Sequence, residues 1–313
     1  MENEKLTGKI KKFVIAEGMD LVGIAPVERF KEAPDEWTQP TFYMEDAKSV
    51  ISIGAHIPNG VGDVWGEYTE KGKTIAPYLF YGYGLQNFEL SRVANLLAKK
   101  IEYQGYKSLI FPPTWAISQY RHFEDVLDGR LIGDFSHRHA AVAAGLGEFG
   151  LSGLVLTPLF GARNRFNTII TNALLISDPM YDGPKICRPD KCNNFCIRDC
   201  PTHAFSKSER VRTKIGRRVF EYAQLDIVRC SYALNAIAKG SGGRTRLDVP
   251  DGKVTLFDFY EALQERARTD QEFFNCAAEV VCGDFCGRCL HRCPAYKWVN
   301  KARRAPESVV KAF

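Results

Sequence analysis

All ten cysteines of this 313-residue chain lie between Cys187 and Cys293, and nothing before Cys187 carries a thiol. A disulfide framework would spread its cysteines through a small secreted chain. Concentrating them in one third of a longer chain points instead to thiolates gathered around metal. The remaining composition is ordinary for a globular protein, with 45% hydrophobic and 25% charged residues, which excludes wholesale disorder. A net charge of +5 fits a mild preference for acidic partners and is too small to argue nucleic-acid binding. No apolar run approaches the roughly 18 residues a membrane helix needs. The start, Met1-Glu2-Asn3-Glu4-Lys5, has neither an apolar signal core nor a twin arginine. The expectation is a cytoplasmic protein of two domains, at about 150 residues each.

The spacing of the thiols is more informative than their number. Cys187, Cys192, Cys196 and Cys200 are separated by four, three and three residues, and Pro201 follows the last. Cys286, Cys289 and Cys293 form a second run, closed by Pro294. Close cysteines ending in Cys-Pro are the ligand pattern of bacterial two-cluster ferredoxins, in which the last cysteine of each run serves the other cluster. Soft thiolates on a short loop can wrap a cluster, and the proline turns the chain away without adding an amide donor. Zinc also takes Cys-x-x-Cys pairs, but it accounts less well for two Cys-x-x-x-Cys-Pro endings. The crossed pattern gives Cys187, Cys192, Cys196 and Cys293 to one 4Fe–4S cluster. It gives Cys200, Cys286, Cys289 and one further thiolate to the other. Cys230 and Cys282 compete for that last place, and Cys276 reads as a small buried hydrophobe.

The cysteine-free part alternates helical and strand-like patterns. Leu6, Ile10, Phe13 and Val14 share a helix face that Gly18 ends, and Leu90, Val93, Ala94, Leu97 and Ile101 form a second stripe closed by Gly105. Leu21 to Ala25, Val50 to Ile53, Lys107 to Phe111 and Phe166 to Ile176 read as strands. Helices and strands around one sheet make the fold class α+β. Pro34 to Pro40 and Gly60 to Gly66 read as surface loops. Two stretches stand out: Ala144-Gly145-Leu146-Gly147-Glu148-Phe149-Gly150 with Ser152-Gly153, and Thr157-Pro158-Leu159-Phe160-Gly161-Ala162-Arg163-Asn164-Arg165. Dense glycine permits positive φ and lets backbone approach a flat or bulky ligand. Gly145-x-Gly147-x-x-Gly150 also matches the dinucleotide fingerprint, although a helix-like segment precedes it where a strand is required. A tight turn with no ligand is the third reading.

Tyr78 to Gly84, the Ala144-to-Gly147 turn, Thr157-Pro158 with Gly161, and the two Cys-Pro runs follow one another in that order. So arranged, residues 75–295 resemble the corrinoid-dependent iron–sulfur reductases, the family of epoxyqueuosine reductase and the reductive dehalogenases. Cys230-Ser231-Tyr232 is similar to the segment that supplies a cluster ligand in epoxyqueuosine reductase, which favours Cys230 over Cys282. The resemblance implies a nitroreductase-like corrinoid-binding domain over residues 1–180, followed over 181–313 by a ferredoxin-like domain with two 4Fe–4S clusters and a short basic tail. It implies base-off cobalamin at Gly145, Gly147, Gly150, Ser152, Gly153, Thr157, Gly161 and Arg163. Electrons would come from an external low-potential donor such as ferredoxin or flavodoxin, and a small organic molecule (an organohalide, an epoxide or an activated double bond) would be reduced.

The departures are informative. The aspartate that epoxyqueuosine reductase carries before its glycine turn is met here by Leu131, with Asp134 nearby, and only about twenty residues follow Cys293 in place of a helical-repeat tail. Epoxyqueuosine in tRNA is therefore the alternative substrate, and an electron carrier or corrinoid activator with no substrate of its own is a further alternative. Reduction needs a proton donor, for which Tyr120, Tyr81 and Tyr83 are candidates. Arg165 could anchor an anionic group or lower the pKa of a neighbouring phenol. His137 and His139 sit two apart on a helix and so face different ways.

Overall fold

The computed structural model describes residues 2–33, 39–67, 70–114, 133–242, 247–269 and 286–299. Helix α1 (Glu2–Ala16) buries Thr7, Ile10 and Val14, spaced three and four apart and so on one face. Gly18, at φ +93, turns the chain into β1 (Leu21–Pro26). A short helix α2 (Pro40–Tyr43), strand β2 (Ser49–His56) and a single turn α3 (Asn59–Asp63) follow. A π-helix over Tyr78–Gly84 then runs directly into α4 (Leu85–Glu102). β3 (Ser108–Ile110), α5 (His137–Ala143), the small ribbon β4 (Glu148–Phe149) with β5 (Val155–Leu156), and β6 (Asn164–Thr171) complete this part.

The main sheet has the order β1-β2-β6-β3, with every neighbouring pair antiparallel. Its central strands, β2 and β6, are buried along almost their whole length, which is why they read as apolar runs rather than alternating ones. Successive side chains point to opposite faces. Ile24, Ile51, Ile53 and Ile169 meet the Leu90, Val93, Leu97 and Ile101 stripe of α4 together with α1. Val50, Phe166 and Ile170 meet α5 on the other face, with Phe30, Phe111 and Phe135. Each such side chain contributes roughly 1.5–3 kcal/mol on burial.

The cysteine-bearing third is folded against this core. Strands β7 (Phe205–Ile215) and β8 (Arg218–Leu225) form a hairpin turning at Gly216, which has φ +55. Its inner residues Ile215 and Phe220 join the core under α5, and Ala223 N–H donates to the Leu151 carbonyl at 2.8 Å. Helices α8 (Ile227–Leu234) and α9 (Leu256–Thr269) share a small core of Val228, Tyr232, Leu256 and Phe259. The cysteine runs themselves form single turns: α6 (Pro189–Cys192), α7 (Phe195–Arg198), α10 (Arg288–His291) and, just beyond, α11 (Ala295–Val299).

Two expectations need correction. Gly60 to Gly66 is not a surface loop: it includes most of α3, Gly62 is buried and Trp65 is only 6% exposed. The small residue is needed there because a Cβ on Gly62 would lie 2.8 Å from Cζ of Arg163. The last strand stops at Thr171, because the Asn172 side chain leaves the ladder to accept from Lys107 N–H and donate to Asp46. The apolar residues beyond it, Leu174 and Ile176, are exposed. Among the described residues no helix is long and apolar enough to cross a membrane.

His139 and His137 face different neighbours, as their spacing implies. The His139 ring is buried against Phe149, between Ser136 and Thr213, and burial pushes its pKa down to about 3. The unfolded chain therefore takes up this proton first, so stability present above about pH 6.5 is lost as pH falls towards 3. His139→Phe should remove that share, roughly 2 kcal/mol at pH 5. Urea midpoints at pH 7 and pH 5 should converge in the variant relative to the parent.

Candidate iron–sulfur sites and adjoining pocket

The first thiol set assembles from two distant segments. Cys187, Cys192 and Cys196 meet Cys293 around one small cavity whose wall also includes Leu151 and Trp298. Local chain geometry explains the wrap: Asn193 and Asn194 both take the left-handed conformation, at φ 51 and 53, which asparagine tolerates better than most residues. Glu148 accepts from the N–H groups of Ile186 and Cys187 at 2.7 and 3.0 Å, fixing the start of the run. Leu151 N–H donates to Sγ of Cys187 at 3.2 Å. Burial, followed by the neighbouring thiols, pushes Cys196 up to about 12 and Cys293 up to about 11. Cys187, Cys196 and Cys293, raised in this way, stay protonated unless a polycation replaces the protons.

The second set is Cys200, Cys230, Cys286 and Cys289. Cys289 is pushed well above the usual thiol range by burial first, then by the charges of Cys286, Cys230, Cys200 and Cys196. Ala204 N–H donates to Sγ of Cys200 at 3.4 Å. Cys230 lies on α8, whose N-cap Asp226 accepts from Arg229 N–H. Gly287, at φ +84, leaves room for the His291 ring, whose Nε2 would be 2.8 Å from a Cβ there. Cys276 and Cys282 lie outside the described residues. Among the described residues no three His, Cys, Asp or Glu side chains are grouped closely enough to hold a single metal ion.

A third constellation lies at the start of β6. Arg165 donates through Nε to Asn87 at 2.6 Å, and its guanidinium sits 4.3 Å from the centroid of the Tyr83 ring. The Tyr83 hydroxyl is 2.9 Å from Oγ1 of Thr114. His137 donates from Nε2 to the Pro112 carbonyl at 2.9 Å and accepts at Nδ1 from Thr168 at 2.8 Å. Burial, reinforced by the charge of Arg165, lowers His137 to about 4, so it is a neutral brace. Tyr120 lies outside the described residues, and Tyr81 points to solvent, 58% exposed. The bracing roles of Asn87, His137 and Glu148 carry no sequence signal, because each depends on a partner distant in the chain.

The residues nominated for the corrinoid are placed otherwise than as an open cradle. Cβ atoms on Gly145, Gly147 and Gly161 would meet Pro179 O at 2.0 Å, Leu156 O at 2.0 Å and Tyr296 N at 2.4 Å. Those glycines therefore admit protein backbone. Gly150 and Ser152 line the first thiol cavity, while Gly153 packs beside Tyr222 and accepts from Arg138. Thr157 is fully buried and donates to Asn164. Arg163, 1% exposed, donates to Asn59 and to Asp63 at 2.7 Å, and its guanidinium lies 3.5 Å from the centroid of Tyr296.

No family model and no curated protein sequence matches the chain. Solved structures do share its fold. Epoxyqueuosine reductase in complex with an epoxyqueuosine-modified tRNA-Tyr stem loop is similar at 16% identity and TM-score 0.52, over 97% of this chain and 68% of that one. The catabolic reductive dehalogenase NpRdhA bound to 3-bromo-4-hydroxybenzoic acid is similar at 19% identity and TM-score 0.53, over 92% of this chain but 38% of the dehalogenase. A reductive dehalogenase structure described in terms of B12-dependent dehalogenation matches with the same figures. The chain thus has the fold shared by epoxyqueuosine reductase and the reductive dehalogenases, the group its motifs resemble.

Arg163→Ala should lower unfolding stability by about 2–4 kcal/mol, from the lost ion pair and the cavity left behind. Arg163→Lys should recover only part of this, since a lysine keeps the charge but loses the fork and the ring stacking. Urea denaturation of the two variants checks both.

Proposed function

We propose that this chain is an iron–sulfur oxidoreductase. In this reading Cys187, Cys192, Cys196 and Cys293 hold one 4Fe–4S cluster, and Cys200, Cys230, Cys286 and Cys289 hold the other. A small organic molecule is reduced beside Arg165 and Tyr83. The division into residues 1–180 for substrate and 181–313 for clusters belongs to the same proposal. The observation that carries it is the convergence of thiols from both Cys-Pro runs on one apolar cavity, with a backbone N–H aimed at sulfur.

The donor set fits the clusters. Buried thiols that raise one another's pKa are poor isolated acids but good ligands for a polycationic group. Bound there, the clusters supply one-electron transfer. Leu151 and Ala204 donate N–H groups that offset thiolate charge. Arg165 is oriented by Asn87 and offers positive charge to an anionic substrate group. Tyr83 lies directly under that guanidinium and can hold a proton at its hydroxyl, tied to Thr114. Neutral His137 steadies Thr168 and the Pro112 segment around them.

The cobalamin expectation draws support from the fold shared with a B12-dependent dehalogenase. Four of the eight contacts nominated for it do not fit as an open cradle, because Gly145, Gly147, Gly161 and Arg163 are engaged by protein. No step is assigned to that group. The desolvated setting of Tyr83, 5% exposed, favours a small substrate over a nucleotide in RNA.

Anaerobic reconstitution with iron, sulfide and hydroxocobalamin, followed by gel filtration and EPR, tests the reading. About eight irons per chain are expected, and an iron content below about four overturns the two-cluster assignment. Base-off cob(II)alamin in near-stoichiometric amount would add the corrinoid through other residues, and its absence would leave an iron–sulfur protein without it. Cys286→Ser or Cys289→Ser should lower iron from about eight to about four. Arg165→Ala should leave iron unchanged and cut turnover by about a hundredfold.

A further inference from the structure

Positive charge is distributed unevenly along the chain. Residues 182–240 carry twelve Lys and Arg against six Asp and Glu, so the whole +5 surplus of the protein lies within them. This is the stretch that contains the first cysteine run, the hairpin and Cys230. Within it α7 packs against both α10 and the first residues of β7, so three cysteine-adjacent segments share one surface. Arg198 of α7 and Arg292, next to α10, flank the ring of Phe195, with guanidinium carbons 4.4 and 5.8 Å from its centroid. Both also reach Asp199 at 3.0 Å, which holds them in place. Lys207 and Arg210 are exposed at the start of β7. The Arg210 guanidinium donates to the carbonyls of Glu209 and Lys207 across the bulge there. Cys196 and Cys200, which bracket Arg198, are only half-buried.

We propose that Arg198 and Arg292, which flank Phe195, together with the exposed Lys207 and Arg210 of the strand packed against α7, form the docking surface for a small acidic one-electron carrier, an iron–sulfur or flavin protein with a carboxylate-rich rim. The proposal rests on the two-cluster reading and names the partner that feeds it. One electron leaves the reduced carrier and enters an oxidised cluster held beneath this surface; no covalent bond forms or breaks. Placement favours a carrier over RNA. The charges lie on the thiol-bearing segments, whereas Arg165 and its braces belong to β6, α4 and α5. An aromatic ring flanked by arginines is also the composition of a protein interface centre, and opposite charge speeds encounter.

The test compares the full-length reconstituted chain with Lys207→Glu/Arg210→Glu, a pair outside both cysteine runs. The probe is a purified acidic two-cluster ferredoxin, titrated calorimetrically at low salt and then used, reduced, in stopped-flow. Affinity and second-order reduction rate should each fall about tenfold or more in the variant, and the salt dependence should flatten. Reduction by the methyl viologen radical cation should be unchanged or faster. Equal ferredoxin affinity in parent and variant overturns the proposal. So does loss of binding to a tRNA stem loop with ferredoxin affinity intact, which would assign the surface to RNA. Iron and EPR on the same samples report separately on the clusters, and the calorimetry decides the surface whatever the iron content.

Discussion

A buried guanidinium ties the cysteine-bearing third of the chain to the sheet. Arg163, immediately before β6, has almost no exposure, and its two terminal nitrogens donate to Asn59 and Asp63 of α3. Tyr296 covers its face and closes the arrangement by donating to the same Asp63 oxygen at 2.8 Å. Leaving an arginine unpaired in such a place would cost several kcal/mol, so the three segments are held to one geometry. Because Tyr296 follows Cys293 by three residues, the position of a thiol depends on an ion pair made elsewhere. Gly62 and Gly161 belong to the same constraint. The first has no side chain because the guanidinium lies over it, and the second because the backbone at Tyr296 does.

That dependence explains what the amino-acid sequence does and does not disclose. The thiol sets were legible because ligand spacing is a short-range property and metal chemistry admits few donor patterns. The strands at Val50 and Phe166 and the stripe on α4 were legible because burial imposes a period. The glycine turn was legible only in half. Its residues declare conformational freedom, with Gly145, Gly153 and Gly161 at φ 78, 70 and 58, but they cannot declare what approaches them. Here protein backbone does, at Pro179, Leu156 and Tyr296. Arg163 looked like a ligand contact for a related reason, since a lone arginine in a glycine-rich turn gives no hint that its acceptors lie a hundred residues upstream. Cys230 and Cys282 were equal by spacing, and the resemblance carried by Cys230-Ser231-Tyr232 favoured the first; Cys230 does lie within the field of Cys289.

The hairpin β7–β8 has two faces with different consequences. Its inner face, with Ile215 and Phe220, extends the core under α5, so the segment between Cys200 and Cys230 is anchored rather than free. Its outer face carries Lys207, Arg210, Arg212 and Arg217 into solvent. Asp226 N–H donates to the Ala204 carbonyl and closes the root, and Ala204 N–H in turn points at Cys200. The charged outer surface and the sulfur environment are therefore built on one short stretch of backbone.

The π-helix gives the connection between thiols and pocket a physical form. Wide turns of this kind are rare and cluster where a local sequence must present side chains in an unusual order. Tyr78, at its start, meets the His291 ring edge-on at 4.4 Å, and Trp65 stacks on the same ring at 5.1 Å. Tyr83, near its end, lies beneath Arg165. His291 stands between Cys289 and Cys293 in the chain, and among the described residues neither ring nitrogen has a hydrogen-bond partner. Its ring is packed between Tyr78 and Trp65, and desolvation keeps it neutral, at about 3. One seven-residue element thus touches the cysteine segment at its first residue and the pocket near its last.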